Sequence, residues 1–171
     1  MSLQIHKQFL LNSTRVLLTA LFMIPSIMAV AGSLDHVEFS TNLQKDGLLA
    51  EQRNVPLLLM VSAEECPYCM VMESDYLVPL LRNREYDSLV LIRKIHLDGF
   101  DNIIDFSGKG VAPTDLSQEY GVWVTPTLLF LNSRGEEVQK RMIGLGVRDF
   151  VSAYIDESIL TATDTMKQFL P

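Results

Sequence analysis

The stretch VPLLLMVSAEECPYC, residues 55–69, decides the fold. Its opening VPLLLMVS is apolar without alternation and lies between turn-type residues, the pattern of a central strand covered on both faces. Pro56 is tolerated because the first residue of a strand need not donate to the ladder. Two cysteines then follow, three positions apart, where a helix is expected to begin near Pro67 and run through Cys69, Met72 and Tyr76. The first turn of a helix presents unpaired N–H groups and the positive end of its dipole, and both stabilise a thiolate. Cysteines so placed have pKa values lowered from about 8.5 into the range of about 3.5–7.5. Cys66, at the strand end, is therefore the expected exposed nucleophile of disulfide exchange. Cys69, one turn further in and shielded, can close a ring with it and resolve a mixed disulfide. Pro67 suits a first helical position, where no N–H is needed.

Two other readings of the pair compete. A purely structural disulfide closing so short a ring would add little constraint. Half a zinc site would need a second CxxC, and only His36 and His96 could help. His96 falls in an expected strand, where a lone histidine usually packs. Redox chemistry is the stronger reading.

Working outward, Ser40 or Thr41 could cap a helix running to Arg53 with Leu43, Leu48 and Leu49 on its apolar side. Pro79 removes a backbone donor, so a break or kink is expected there. Residues 88–97 (SLVLIRKIHL) read as a second strand, and residues 98–113 as an irregular polar segment. A short helix over residues 114–120 should stop at Gly121. Residues 127–131 and 137–142 read as strands around the turn Asn132-Ser133-Arg134-Gly135. Phe150, Val151, Tyr154, Ile155 and Ile159 recur at helical spacing and mark a closing helix. The expected order is α-β-α-β-α-β-β-α, an α/β fold with a mixed sheet covered on both faces and an antiparallel hairpin at its edge.

The chain has 171 residues, 48% of them hydrophobic, and a net charge of -7. Acidity argues against nucleic acid and against anionic membrane surfaces. Residues 1–31 stand apart. They carry Lys7 and Arg15 and no acid, so the remainder has 12 basic against 21 acidic residues, a net charge of -9. An apolar run follows Arg15 and ends in Ala29-Val30-Ala31, which describes a secretory signal peptide cleaved before Gly32. A retained membrane anchor is the alternative, against which stand the run's shortness and Pro25. Residues 32–171 then form one domain in an exported, oxidising compartment. Ser107-Gly108-Lys109-Gly110 lacks the full phosphate-loop pattern. Asp98, Asp101, Asn102 and Asp105 do not fit a calcium loop. Met60, Met70 and Met72 read as core filler rather than copper ligands.

CPYC after VPLLLMVSAEE, then Val124-Thr125-Pro126-Thr127, a hairpin and a helix, resembles the thioredoxin superfamily over nearly all of residues 38–160. The stretch Ile104-Asp105-Phe106-Ser107-Gly108 and the TPT version of the proline motif are similar to exported, periplasmic thioredoxins of the SoxW/TlpA type. The resemblance implies a thioredoxin-like fold, a cis Thr125–Pro126 bond facing the cysteines, and a substrate segment docked against Pro67, Tyr68, Thr125 and Pro126. It also implies a monomer that needs no cofactor beyond the Cys66–Cys69 disulfide and binds no metal. Its partners would be exported proteins with thiols or disulfides, and a membrane protein that donates electrons. A reductase is the leading expectation, and a disulfide oxidase or isomerase would use the same residues at another redox poise. A metal-delivery protein is the more distant alternative.

The chain departs from thioredoxin where that family has a buried aspartate, here Met60, and a tryptophan, here Glu65. The first change removes a proton acceptor for Cys69, a role for which Glu64 and Glu65 are the candidate modulators. Their charge should oppose a thiolate at Cys66.

Overall fold

A computed structural model describes residues 35–168; the leader expected over residues 1–31 lies outside them. Strand β1, Leu57–Ser62, is buried along its whole length. It pairs in parallel with β2, Leu91–His96, and antiparallel with β5, Thr127–Leu131. Strand β6, Glu137–Ile143, completes a four-stranded mixed sheet in the order β2-β1-β5-β6. The expected α/β architecture is present, with β1 central and the β5–β6 hairpin at the edge.

Alternate residues of β1 serve two cores. Leu58 and Met60 join a cluster with Cys66, Cys69, Met72, Phe130 and Ile155. Leu57, Leu59 and Val61 join the opposite cluster, with Leu43, Ala50, Ile95 and Leu116. The first face is covered by a helical run over residues 67–82 and by the closing helix. The second is covered by α1, Leu43–Arg53, and α4, Pro113–Glu119.

Several expected details are corrected. The cap of α1 is Asn42, whose side chain accepts the Lys45 N–H at 2.9 Å, while the Ser40 hydroxyl donates to Asp46 instead. Its buried stripe is Leu43, Gly47 and Ala50; Leu48 is exposed. Gly47 is required there, because a Cβ would come within 2.3 Å of the Ser133 carbonyl oxygen.

The helical run does not break at Pro79. It passes from α2, Pro67–Val71, through a π-helical stretch, Met72–Leu77, into α3, Val78–Arg82. The Val78 N–H reaches back five residues to the Glu73 carbonyl, so the wider turn carries the chain to a proline that donates nothing. Residues 84–88 form a 3-10 turn, and β2 starts only at Leu91. The polar segment before α4 contains a small hairpin, β3 Ile103–Ile104 against β4 Gly110–Val111, and α4 begins at Pro113. The closing helix α5, Val151–Gln168, buries Val151, Ile155, Ser158, Ile159 and Ala162, leaving Phe150 and Tyr154 exposed against one another. Met60 and Met72 are core filler, but Met70 is exposed.

Candidate active site

The end of β1 and the start of α2 bring the cysteines together. Ser62 closes the strand by accepting the Leu97 N–H at 2.8 Å. A three-residue turn follows, and the Glu64 N–H donates to both carboxylate oxygens of Asp98, at 3.1 and 3.2 Å. That latch ties the turn to the segment leaving β2. Cys66 then takes extended backbone as the N-cap of α2, and Pro67 begins the helix. The Cys69 N–H donates to Cys66 Sγ at 3.1 Å. Sulfur thus stands where a capping oxygen usually does, and an otherwise unpaired helix N–H points at it.

Cys66 and Cys69 are joined in a disulfide, with their Cα atoms 5.2 Å apart. Both are buried in this oxidised state. Cys66 is 8% exposed and Cys69 3%, so the expected openly exposed Cys66 is only slightly more accessible than its partner. The difference has the expected direction, but neighbouring side chains crowd both sulfurs.

A second element approaches from across the sheet. The Thr125 hydroxyl donates to Cys66 Sγ at 3.5 Å. The Thr125–Pro126 bond is cis, the Thr127 hydroxyl donates to the Val124 carbonyl at 2.7 Å, and the Gly144 N–H donates to the Pro126 carbonyl at 2.8 Å. These bonds hold Thr125 at the start of β5 against the disulfide. Cys66, Cys69, Thr125 and Pro126 therefore share one site. Pro67 and Tyr68 lie on its exposed surface. Glu64 and Glu65 are also exposed, and their carboxylates form no hydrogen bond or ion pair with a described residue.

Sequence reasoning missed two features. The first is a rim of exposed apolar side chains at this end of the sheet: Tyr68, Met70, Trp123, Val124, Ile143 and Val147. They come from three separate segments, so no single run announces them. The second is the ion pair Glu73–Lys94. Its members are only 18% and 10% exposed and lie on the sheet face that carries the disulfide. Position Met60 is fully buried in the cluster containing both cysteines, so no charged group replaces the missing aspartate at that point.

Among the described residues no group of three or more His, Cys, Asp or Glu side chains is arranged to hold a metal ion. A cavity of about 470 Å³, lined by Glu51, Asn54, Arg134 and Thr165 among others, opens at the far end of the sheet, away from the cysteines.

The thioredoxin-like domain profile matches residues 43–157, and the chain belongs to that family. Among solved structures, the chain is similar to a thioredoxin h from poplar, with 20% identity over 71% of this chain and 95% of that one, at a TM-score of 0.51. A mutant poplar thioredoxin h gives 18% identity, 78% and 88% coverage and a TM-score of 0.51. No curated protein matches the sequence. Family membership and the Cys66–Cys69 disulfide make the chain a thiol–disulfide oxidoreductase.

Proposed function

We propose that this oxidoreductase works outside the cytoplasm as a reductase of exported proteins, in the manner of the SoxW/TlpA-type thioredoxins. In this reading residues 1–31 serve as its leader, residues 32–171 form the working domain, and a membrane protein donates its electrons. The observation that carries the exchange chemistry is the setting of Cys66 Sγ, which receives the Cys69 N–H and the Thr125 hydroxyl at once; export and the reductase direction rest on the resemblance to the SoxW/TlpA-type thioredoxins. Two donors aimed at one sulfur favour its thiolate, the attacking species in exchange.

In the reduced protein, Cys66 Sγ attacks a substrate disulfide and forms a new S–S bond, and the other substrate sulfur leaves and takes a proton. Cys69 then attacks Cys66 Sγ, expels the second substrate thiol and restores the Cys66–Cys69 disulfide. The substrate gains two electrons, and the donor must return two to the enzyme. The Thr125–Pro126 segment and Tyr68 flank the route by which a substrate reaches the disulfide.

The test has two arms. Purified protein should accelerate the reduction of insulin by dithiothreitol without bound metal. Cys69→Ala, expressed with its leader intact, should accumulate covalent adducts with exported proteins that dithiothreitol dissolves. Cys66→Ala and the double variant should form none. Equal adducts from both single variants would dissolve the division of roles, and metal co-purifying with an inactive protein would move the chain to metal delivery. Intact mass of the exported form should correspond to a start at Gly32.

A further inference from the structure

We infer that Glu64 and Glu65 set the charge of the partners this site accepts: proteins whose exchanging cysteine lies beside lysine or arginine, in preference to anionic thiols such as glutathione. The inference deepens the redox reading of the disulfide and rests on it.

Both glutamates stand directly before the attacking sulfur, at the second and first positions ahead of Cys66. Their Cα atoms lie no further than about 7 Å from that of Cys66, whatever the shape of the turn. The Glu64 N–H is held by both carboxylate oxygens of Asp98, which fixes the turn through its backbone alone. Both glutamate side chains are exposed and bind no described residue, so they bridge no two elements. A carboxylate near a helix N-terminus does favour the dipole. That contribution is the same whichever substrate arrives.

The disulfide itself brings a ligand to this turn, because exchange occurs only when a substrate sulfur bonds to Cys66 Sγ. The substrate residues beside that sulfur then come within about one screening length, about 8 Å at physiological ionic strength, of the two carboxylates. A second feature of the same flank favours a cation there. Phe100 is 97% exposed and lies two residues beyond Asp98, in the segment that the Asp98 bond ties to the turn. Asp101 follows it and is also exposed. An open aromatic face between carboxylates offers a cation both a charge and a π surface.

The other sides of the site do not offset this flank. Lys94, on the strand beside β1, is neutralised by Glu73, and Arg148 is followed directly by Asp149. The segments leading into β5 and out of β6 present apolar Trp123, Val124 and Ile143. A substrate with basic residues on the turn side of its cysteine is therefore drawn in, and an anionic one is repelled.

The chemical step is the same for every substrate. Cys66 Sγ bonds to one substrate sulfur, and the other leaves with its electron pair and takes a proton. Cys69 then expels the first, and two electrons have passed to the substrate. The glutamates also oppose a thiolate at Cys66, which changes all rates together. The ratio between substrates isolates their effect on partner choice.

The experiment offers the reduced full chain a set of disulfides: homodimers of one short peptide with lysine, serine or glutamate on both sides of its cysteine, and glutathione disulfide. It reads the second-order rate of protein oxidation, quenched by alkylation and followed by intact mass. At low ionic strength the lysine peptide should react at least roughly tenfold faster than the glutamate peptide, with serine between them and glutathione disulfide on the slow side. Raising ionic strength from about 0.01 M to about 1 M shortens the screening length from about 30 Å to about 3 Å and should reduce the preference several-fold. Glu64→Gln with Glu65→Gln should reduce it likewise at low salt. Glu51→Gln with Glu136→Gln removes as much charge from the cavity at the far end of the sheet and should leave the preference unchanged. A preference that is absent, reversed or insensitive to salt overturns the proposal, and so does equal loss in both double variants. A native protein oxidised by none of the disulfides would instead refute the redox reading on which the inference rests.

Discussion

At the residue scale, the sulfur of Cys66 is held by groups whose removal can be foreseen. Thr125→Val keeps shape and deletes the hydroxyl donor. The bond is long at 3.5 Å, so a loss at the weak end, about 0.5–1 kcal/mol, is expected for the thiolate. Iodoacetamide labelling of the reduced variant should then need a higher pH than in the native protein, with insulin reduction slowed a few-fold. In the native protein Cys66 should still be labelled before Cys69, since it is the capping sulfur and the more accessible of two buried ones. Labelling of Cys69 first would reverse the assignment. CPYC and the TPT segment were legible because each is contiguous and each carries its own local chemistry. Glu73–Lys94 was not. A glutamate in a helix and a lysine in a strand read as ordinary solvated positions, and only the β1–β2 register and the path of the helix reveal that they meet. Glu64 and Glu65 drew attention by adjacency to Cys66, yet their turn points both outward.

At the element scale, caps and turns decide where the chain changes direction. Asn42→Ala removes the acceptor of the Lys45 N–H and should cost about 1 kcal/mol, read as a lowered urea midpoint. Gly135 sits at φ 82° in the hairpin turn, and a Cβ there would come within 2.4 Å of the Phe106 ring and 2.6 Å of the Tyr120 hydroxyl. Gly135→Ala combines left-handed strain with that overlap and should destabilise by about 2 kcal/mol or more, far beyond a Gly121→Ala control that meets open space. Apolar runs and proline or glycine signals located the strands, α1 and the closing helix. They allowed a break or a kink at Pro79, and the run stays unbroken because a proline disturbs only the donors of its own turn and a π-helical stretch re-routes them. The β3–β4 hairpin was missed since two residues per strand carry no period to read.

At the scale of the whole molecule, distant parts of the chain are tied by polar bonds laid over two apolar layers. One such tie is the Tyr86 hydroxyl donating to Asp156 on α5 at 2.7 Å. The bond to that carboxylate, helped by burial, pushes the tyrosine from its ordinary value near 10 up to about 12. Its folded value lies above its unfolded one, so the stabilisation is complete below pH 10 and disappears as pH rises through 12. Tyr86→Phe should lower the urea midpoint at neutral pH, and the gap from native should close above pH 10. The two layers themselves are separated by β1, and that partition bears on evolution and engineering. Oxidised and reduced forms are linked in a thermodynamic cycle, so a substitution that stabilises one form over the other must shift the disulfide's potential by the same free energy. Leu58 shares a layer with the cysteines and Leu59 does not. Trimming either to valine should cost about 1 kcal/mol of stability. Only the even-numbered change should be felt by the disulfide as a changed glutathione equilibrium. Along this strand, parity separates residues that tune strength alone from residues that tune strength and electron affinity together.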